Sequence, residues 1–108
     1  MKLRHLNPAE RALIEHMLQA SPQAPALRDL LPDCLVEGLD DGRMGSVRFD
    51  SQHIEGRRLG ADLCQMEFLD SDGVPVFVTL SLDNFGQLFE LDMWKADFSA
   101  IQRFPLTH

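Results

Sequence analysis

A chain of 108 residues can bury one hydrophobic core but not two independent ones, so a single domain is expected over 1–108. A hydrophobic fraction of 44% beside 25% charged residues is near the globular average, so neither disorder nor a disulfide scaffold is needed to explain the composition. The formal net charge of −7 repels phosphate backbones and anionic lipid, which argues against nucleic acid and membrane surfaces and favours a basic protein as partner.

The first element is announced by Asn7-Pro8-Ala9-Glu10, where Asn7 can cap free amides, Pro8 suits the first helical position and Glu10 completes a capping box. Leu6, Ala9, Leu13, Ile14, Met17 and Leu18 then recur at three and four, which predicts a helix from about 8 to 20, ended by Ser21-Pro22. Met1 to Leu6 leads straight into this cap, not into an apolar leader, and no stretch reaches the roughly 20 apolar residues of a membrane span. A cytoplasmic protein is expected. Between Pro22 and Asp33 a helix of about two turns would pack Leu27, Leu30 and Leu31.

From Cys34 the period changes from helical to alternating. Leu35–Leu39 and Gly45–Phe49 read as strands around the turn Asp40-Asp41-Gly42-Arg43. After a polar connection, Arg57–Leu69 is a longer strand bent at Gly60, and Asp70-Ser71-Asp72-Gly73 turns into the clearest strand, Val74–Leu82. Leu88–Lys95 returns with Phe89, Leu91 and Met93 on one face and Leu88, Glu90, Asp92 and Trp94 on the other. The expected class is α+β: one or two N-terminal helices (1–33) packed on a four- to six-stranded antiparallel meander sheet (34–97), then a C-terminal segment (98–108). Leu13, Ile14, Met17, Val76, Val78, Leu80, Leu91 and Met93 are its expected core.

No constellation of residues recommends an enzyme, and no cofactor or metal is expected. Asp70-Ser71-Asp72-Gly73 lacks the third oxygen ligand of a calcium loop, and Ser81 stands where that loop needs a bidentate glutamate. His5, His16, His53 and His108 are scattered, and Cys34 and Cys64 form no Cys-x-x-Cys, so two free thiols are expected. Residues 33–97 hold 14 acidic side chains against 5 basic ones, which makes the sheet half the acidic half.

Within that half, Glu90, Asp92 and Trp94 alternate onto one strand face, where two carboxylates beside the only tryptophan make a candidate partner-binding site. The competing arrangement buries Trp94 under Phe98, Ile101 and Phe104 and pairs Glu90 and Asp92 with arginines such as Arg57 or Arg58. The Asp40-Asp41 turn is a second candidate patch.

Leu3-Arg4-x-Leu6 with Glu10 and Ile14, Asp40-Asp41-Gly42-Arg43-Met44-Gly45-Ser46, and Phe89-Glu90-Leu91-Asp92-Met93-Trp94-Lys95-Ala96-Asp97-Phe98 together resemble a family of small uncharacterised bacterial proteins. The resemblance covers nearly the whole chain and implies no catalytic residues. In general character the chain is also similar to immunity proteins of bacterial toxin systems, including contact-dependent growth inhibition. That likeness implies a cytoplasmic inhibitor that caps a toxin domain, often a basic nuclease. A homodimeric structural or accessory protein is the leading alternative, and a small-molecule-binding domain or enzyme the next.

Overall fold

The N-terminal helix starts where its residue types dictate. In a computed structural model of the chain, described over residues 3–19, 24–39, 45–51 and 55–105, the Asn7 side chain accepts the Glu10 amide at 2.8 Å. The Glu10 carboxylate accepts the Asn7 amide at 2.9 Å, so both halves of the capping box are made. Arg4 donates twice more to that carboxylate, at 2.7 and 2.8 Å. This hydrogen bonding outweighs partial burial and holds the Arg4 guanidinium above its ordinary range.

Arg4 and His5 form β1 (Arg4–His5), a short strand inside the segment expected to be helical, so Glu10 ties the helix start to the sheet. Helix α1 (Pro8–Leu18) buries Leu13, Ile14, Met17 and Leu18. Glu10→Ala should therefore remove a cap and a buried ion-pair partner together, lowering stability by about 2 kcal/mol in a urea titration.

Helix α2 (Ala24–Leu30) is followed by a single 3-10 turn (Leu31–Asp33). Leu27 and Leu31, four apart on one stripe, are buried. Leu30, expected to pack with them, lies to the side of that stripe and is exposed.

Six strands form one antiparallel sheet: β1, β2 (Leu35–Gly38), β3 (Val47–Phe49), β4 (Leu59–Leu69), β5 (Pro75–Asp83) and β6 (Leu88–Lys95). Their spatial order is β1-β2-β3-β6-β5-β4. The expected meander is thus present as two runs of three neighbouring strands, joined where β3 pairs with β6 through Val47–Leu91 and Arg48–Glu90. Between the runs the chain leaves β3 and travels past the tip of the β5–β6 hairpin to the far edge.

That crossing is anchored residue by residue. Ser51 bonds Gln87 at 3.0 Å, Arg57 donates to the Asp83 carboxylate and the Leu88 carbonyl, each at 3.0 Å, and Arg58 and Asn84 exchange two bonds of 2.9 Å. Burial alone would raise the Asp83 carboxyl, but the Gln87 amide, the Arg57 guanidinium and the Phe85 amide outweigh it and hold it below its ordinary value. Gly60 lies where the crossing enters β4, and its backbone touches the β5–β6 turn. A Cβ there would sit 2.6 Å from the Asp83 carbonyl carbon and 3.0 Å from the Asn84 nitrogen, so the bend expected at Gly60 is a close approach of two backbones.

All eight expected core residues are buried in one cluster, Leu13, Ile14 and Met17 from α1 and the other five from β5 and β6. On β6 a register shift places Leu88 opposite Leu82, and Leu88 is buried. Phe89, expected on the core face, is half-buried and outside the core cluster.

The Asp70–Gly73 turn carries its carboxylates for a structural reason. The fully buried Lys95 ammonium meets Asp70 at 2.8 Å and Asp72 at 2.6 Å. Asp70 also accepts the amides of Ser71, Gln102 and Arg103, which straps the C-terminal segment onto the turn. Cys34 and Cys64 are unbridged, and burial pushes both thiols up, with Asp33 adding to the effect at Cys34. Among the described residues no helix is long and apolar enough to cross a membrane.

Candidate binding face

Strand pairing lays the side chains opposite the core in rows. The first row runs Glu67–Phe77–Trp94, the next Gln65–Thr79–Asp92, and a third brings Ser81, Glu90, Arg48 and Glu37 into line. Neighbours in a row lie within reach of one another, because directly opposed side chains in an antiparallel sheet are about 5 Å apart at Cβ. Glu67, Gln65, Asp92 and Trp94 are exposed, and Phe77 and Thr79 half-buried.

The centre of this face is an aromatic stack. Trp94 lies 4.7 Å from the Phe77 ring at 29° and 5.9 Å from the Phe98 ring at 20°, centroid to centroid. It remains 39% exposed, and Phe98 75%. Phe98 has φ of 62°, the only described non-glycine residue in the left-handed region, a conformation that costs a bulky side chain about 1–3 kcal/mol. Its amide bonds the Lys95 carbonyl at 2.8 Å, and the Asp97 carboxylate accepts the Ser99 amide and hydroxyl at 3.0 and 2.6 Å. The turn after β6 thereby holds an exposed ring against Trp94.

The two sequence-level arrangements of Trp94 are therefore combined. Phe98 covers one face of the indole, while Ile101 and Phe104 pack against the core on the other side of the sheet. Glu90 pairs with Arg48 at 2.8 Å, whereas Arg57 is taken by Asp83. Asp92 is exposed and meets the Ser46 hydroxyl at 3.4 Å. Asp40 and Asp41 lie outside the described residues.

Phe77 and Glu67 belong to the site and were not singled out from sequence, whereas Phe98 was expected only as part of a cover burying Trp94. Phe77 had a signal, being the one aromatic on the odd-numbered side of β5. Glu67 is tied to Phe77 only by strand register, and nothing in Lys95-Ala96-Asp97-Phe98-Ser99 announces a left-handed phenylalanine.

The charge of the face follows from what its carboxylates meet. Glu37, Asp62 and Glu67 have no ion-pair partner among the described residues. Near β3, the Arg48 and Arg57 guanidinium groups lie 5.3 and 4.8 Å from the Phe89 ring centre, each also paired with a carboxylate. An exposed aromatic centre inside an acidic surround is an arrangement suited to docking a basic protein.

No curated protein and no solved structure matches the chain. Residues 3–105 match one family along nearly their whole length, and the chain belongs to that family, described as a domain of unknown function (DUF6984).

Proposed function

We propose that this domain is a non-enzymatic binding protein that docks a basic partner on its open sheet face, and that it serves as a bacterial immunity protein neutralising a cognate toxin in the cytoplasm. The observation that carries this reading is the Phe77–Trp94–Phe98 stack, held partly exposed at the expense of a strained backbone and flanked by carboxylates. A rigid aromatic centre supplies affinity, and the acidic surround speeds encounter with a cationic surface. The buried carboxylates Asp70 and Asp83 are occupied by cations and amides, and both thiols are pushed away from the reactive thiolate. This supports a binding role over catalysis by those groups.

The test is to produce the chain together with a toxin domain encoded beside it, and to follow growth rescue and complex formation. Association should slow steeply with added salt, because exposed charges are screened over about 8 Å at physiological ionic strength. Asp92→Lys should slow association further. Glu90→Lys should do so less cleanly, since it also breaks the pair with Arg48. Trp94→Ala should speed dissociation about 30-fold, the equivalent of about 2 kcal/mol. A complex indifferent to salt and to both Asp92→Lys and Trp94→Ala, in variants shown to be folded, would end this reading.

A second reading rests on β4, an eleven-residue strand at the edge of the sheet with Leu59 and Leu69 exposed. Such an edge can pair with a second copy. Sedimentation of the purified chain separates the two readings: a stable dimer whose dissociation follows substitutions in β4 favours the accessory homodimer.

A further inference from the structure

Beside Trp94 the open face is hollowed into a trough of about 300 Å³, bounded by Gln65, Glu67, Phe77, Thr79 and Trp94. Its floor is strand backbone, because the Val78 side chain beneath is fully buried in the core. We propose that this trough receives an arginine side chain of the basic partner, an inference that rests on the binding role proposed above.

The chemistry of the walls selects the occupant. Glu67 lies directly across from Phe77, which lies directly across from Trp94, so a carboxylate and aromatic surface adjoin in one row. Gln65 donates its amide to the Thr79 hydroxyl at 3.1 Å, leaving its carbonyl oxygen as a second acceptor. Acceptors beside a ring suit a flat cation: a guanidinium can lie over the aromatic face and donate two N–H groups to the carboxylate at once. An ammonium satisfies the charge but neither the stacking nor the paired donation. An anion would meet Glu67 here and Asp92 in the next row.

The same face already contains this arrangement in finished form. Arg48 lies over Phe89 and pairs with Glu90, and Arg57 lies over the same ring and pairs with Asp83. At Glu67 and Phe77 the carboxylate and ring recur, and the partner brings the guanidinium. The trough is open and shallow, so one side chain fills it, and the surrounding contacts come from the aromatic stack.

The experiment uses the full chain and three short peptides identical except at one central residue: arginine, lysine or citrulline. Each is titrated into isotope-labelled protein while NMR follows the Trp94 indole and the amides of Glu67 and Phe77. The arginine peptide should bind about tenfold more tightly than citrulline and several-fold more tightly than lysine, and Glu67→Gln, a near-isosteric change at an exposed position, should remove that preference. Equal binding of the three peptides, shifts confined to another face, or an unchanged preference in folded Glu67→Gln overturns the proposal. A chain dimer weakened by Glu67→Gln also overturns it, in favour of a second copy as occupant. With the toxin partner, binding that depends on Trp94 and not on Glu67 overturns the arginine site alone, whereas binding that depends on neither residue removes the proposed face as well.

Discussion

Asp70→Ala is expected to lower the stability of the domain by about 3 kcal/mol, because it takes one partner from a fully buried ion pair and leaves the ammonium only half answered. Lys95 would retain Asp72 at 2.6 Å, which sets the cost at the lower end of the range for broken buried pairs. The carboxylate also holds the amides of Gln102 and Arg103, so the variant should free the strap after β6 and increase its hydrogen exchange. Asp72→Ala, at a more exposed position, should cost less.

The same substitution has a pH signature. Burial alone would raise the Asp70 carboxyl, but the Lys95 ammonium and the amides of Gln102, Ser71 and Arg103 outweigh it and hold it far below the usual carboxylate range. Asp70 therefore stabilises the fold above the unfolded value of about 4, and that contribution is lost as pH falls from there towards the depressed folded value. Asp83 has the same sign. Lys95 is shifted the other way: burial would lower it, but Asp70 and Asp72 raise it. Its contribution is fully present below the unfolded lysine value and is lost as pH rises through the folded one. Between pH 5 and 2, roughly the window in which free carboxylates titrate, urea midpoints of the parent should fall more steeply than those of Asp70→Ala. Parallel curves would show that Asp70 is not held ionised by this cluster.

Gly60→Ala is expected to cost about 3 kcal/mol despite adding one methyl group at an exposed position. The added carbon would press on the Asp83 carbonyl and the Asn84 nitrogen, which are backbone atoms and cannot rotate aside. They are also fixed by the Arg58–Asn84 exchange and by the bonds that Asp83 accepts from Phe85 and Gln87. A thermal melt within a degree or two of the parent would mean that the two backbones separate easily.

Much of the fold was legible because local chemistry and global packing agree. Asn7 and Glu10 specify a helix start that the sheet then uses, and the alternation from Val74 to Leu82 assigns Val76, Val78 and Leu80 to the core without reference to any neighbour. Strand order was not legible. Short polar turns suggest that each strand lies beside the next, yet the β3–β4 connection is directed by Arg57, Arg58 and Ser51 reaching partners some 26 to 36 positions away. The face of Phe89 was misread for a related reason: a bulge is a property of two paired strands and leaves no mark on either alone. For the site, the alternation of Glu90, Asp92 and Trp94 was visible, but the charge of Glu90 is shared with Arg48, a residue placed beside it only by register.

The junction between β3 and β6 also bears on the order of events during synthesis. β2 and β3 pair locally, and β4 and β5 pair through a tight turn, so each hairpin can close soon after it leaves the ribosome. Neither has a completed sheet, because the strand that joins them is the last one made. Residues 47–49 must wait for residues 88–95, and helix α1, made before both, has no finished surface to cover until then. Long-range pairing of this kind is slow relative to local pairing. The exposed hairpin edges in that interval are the stage at which the nascent domain is most open to association with other chains.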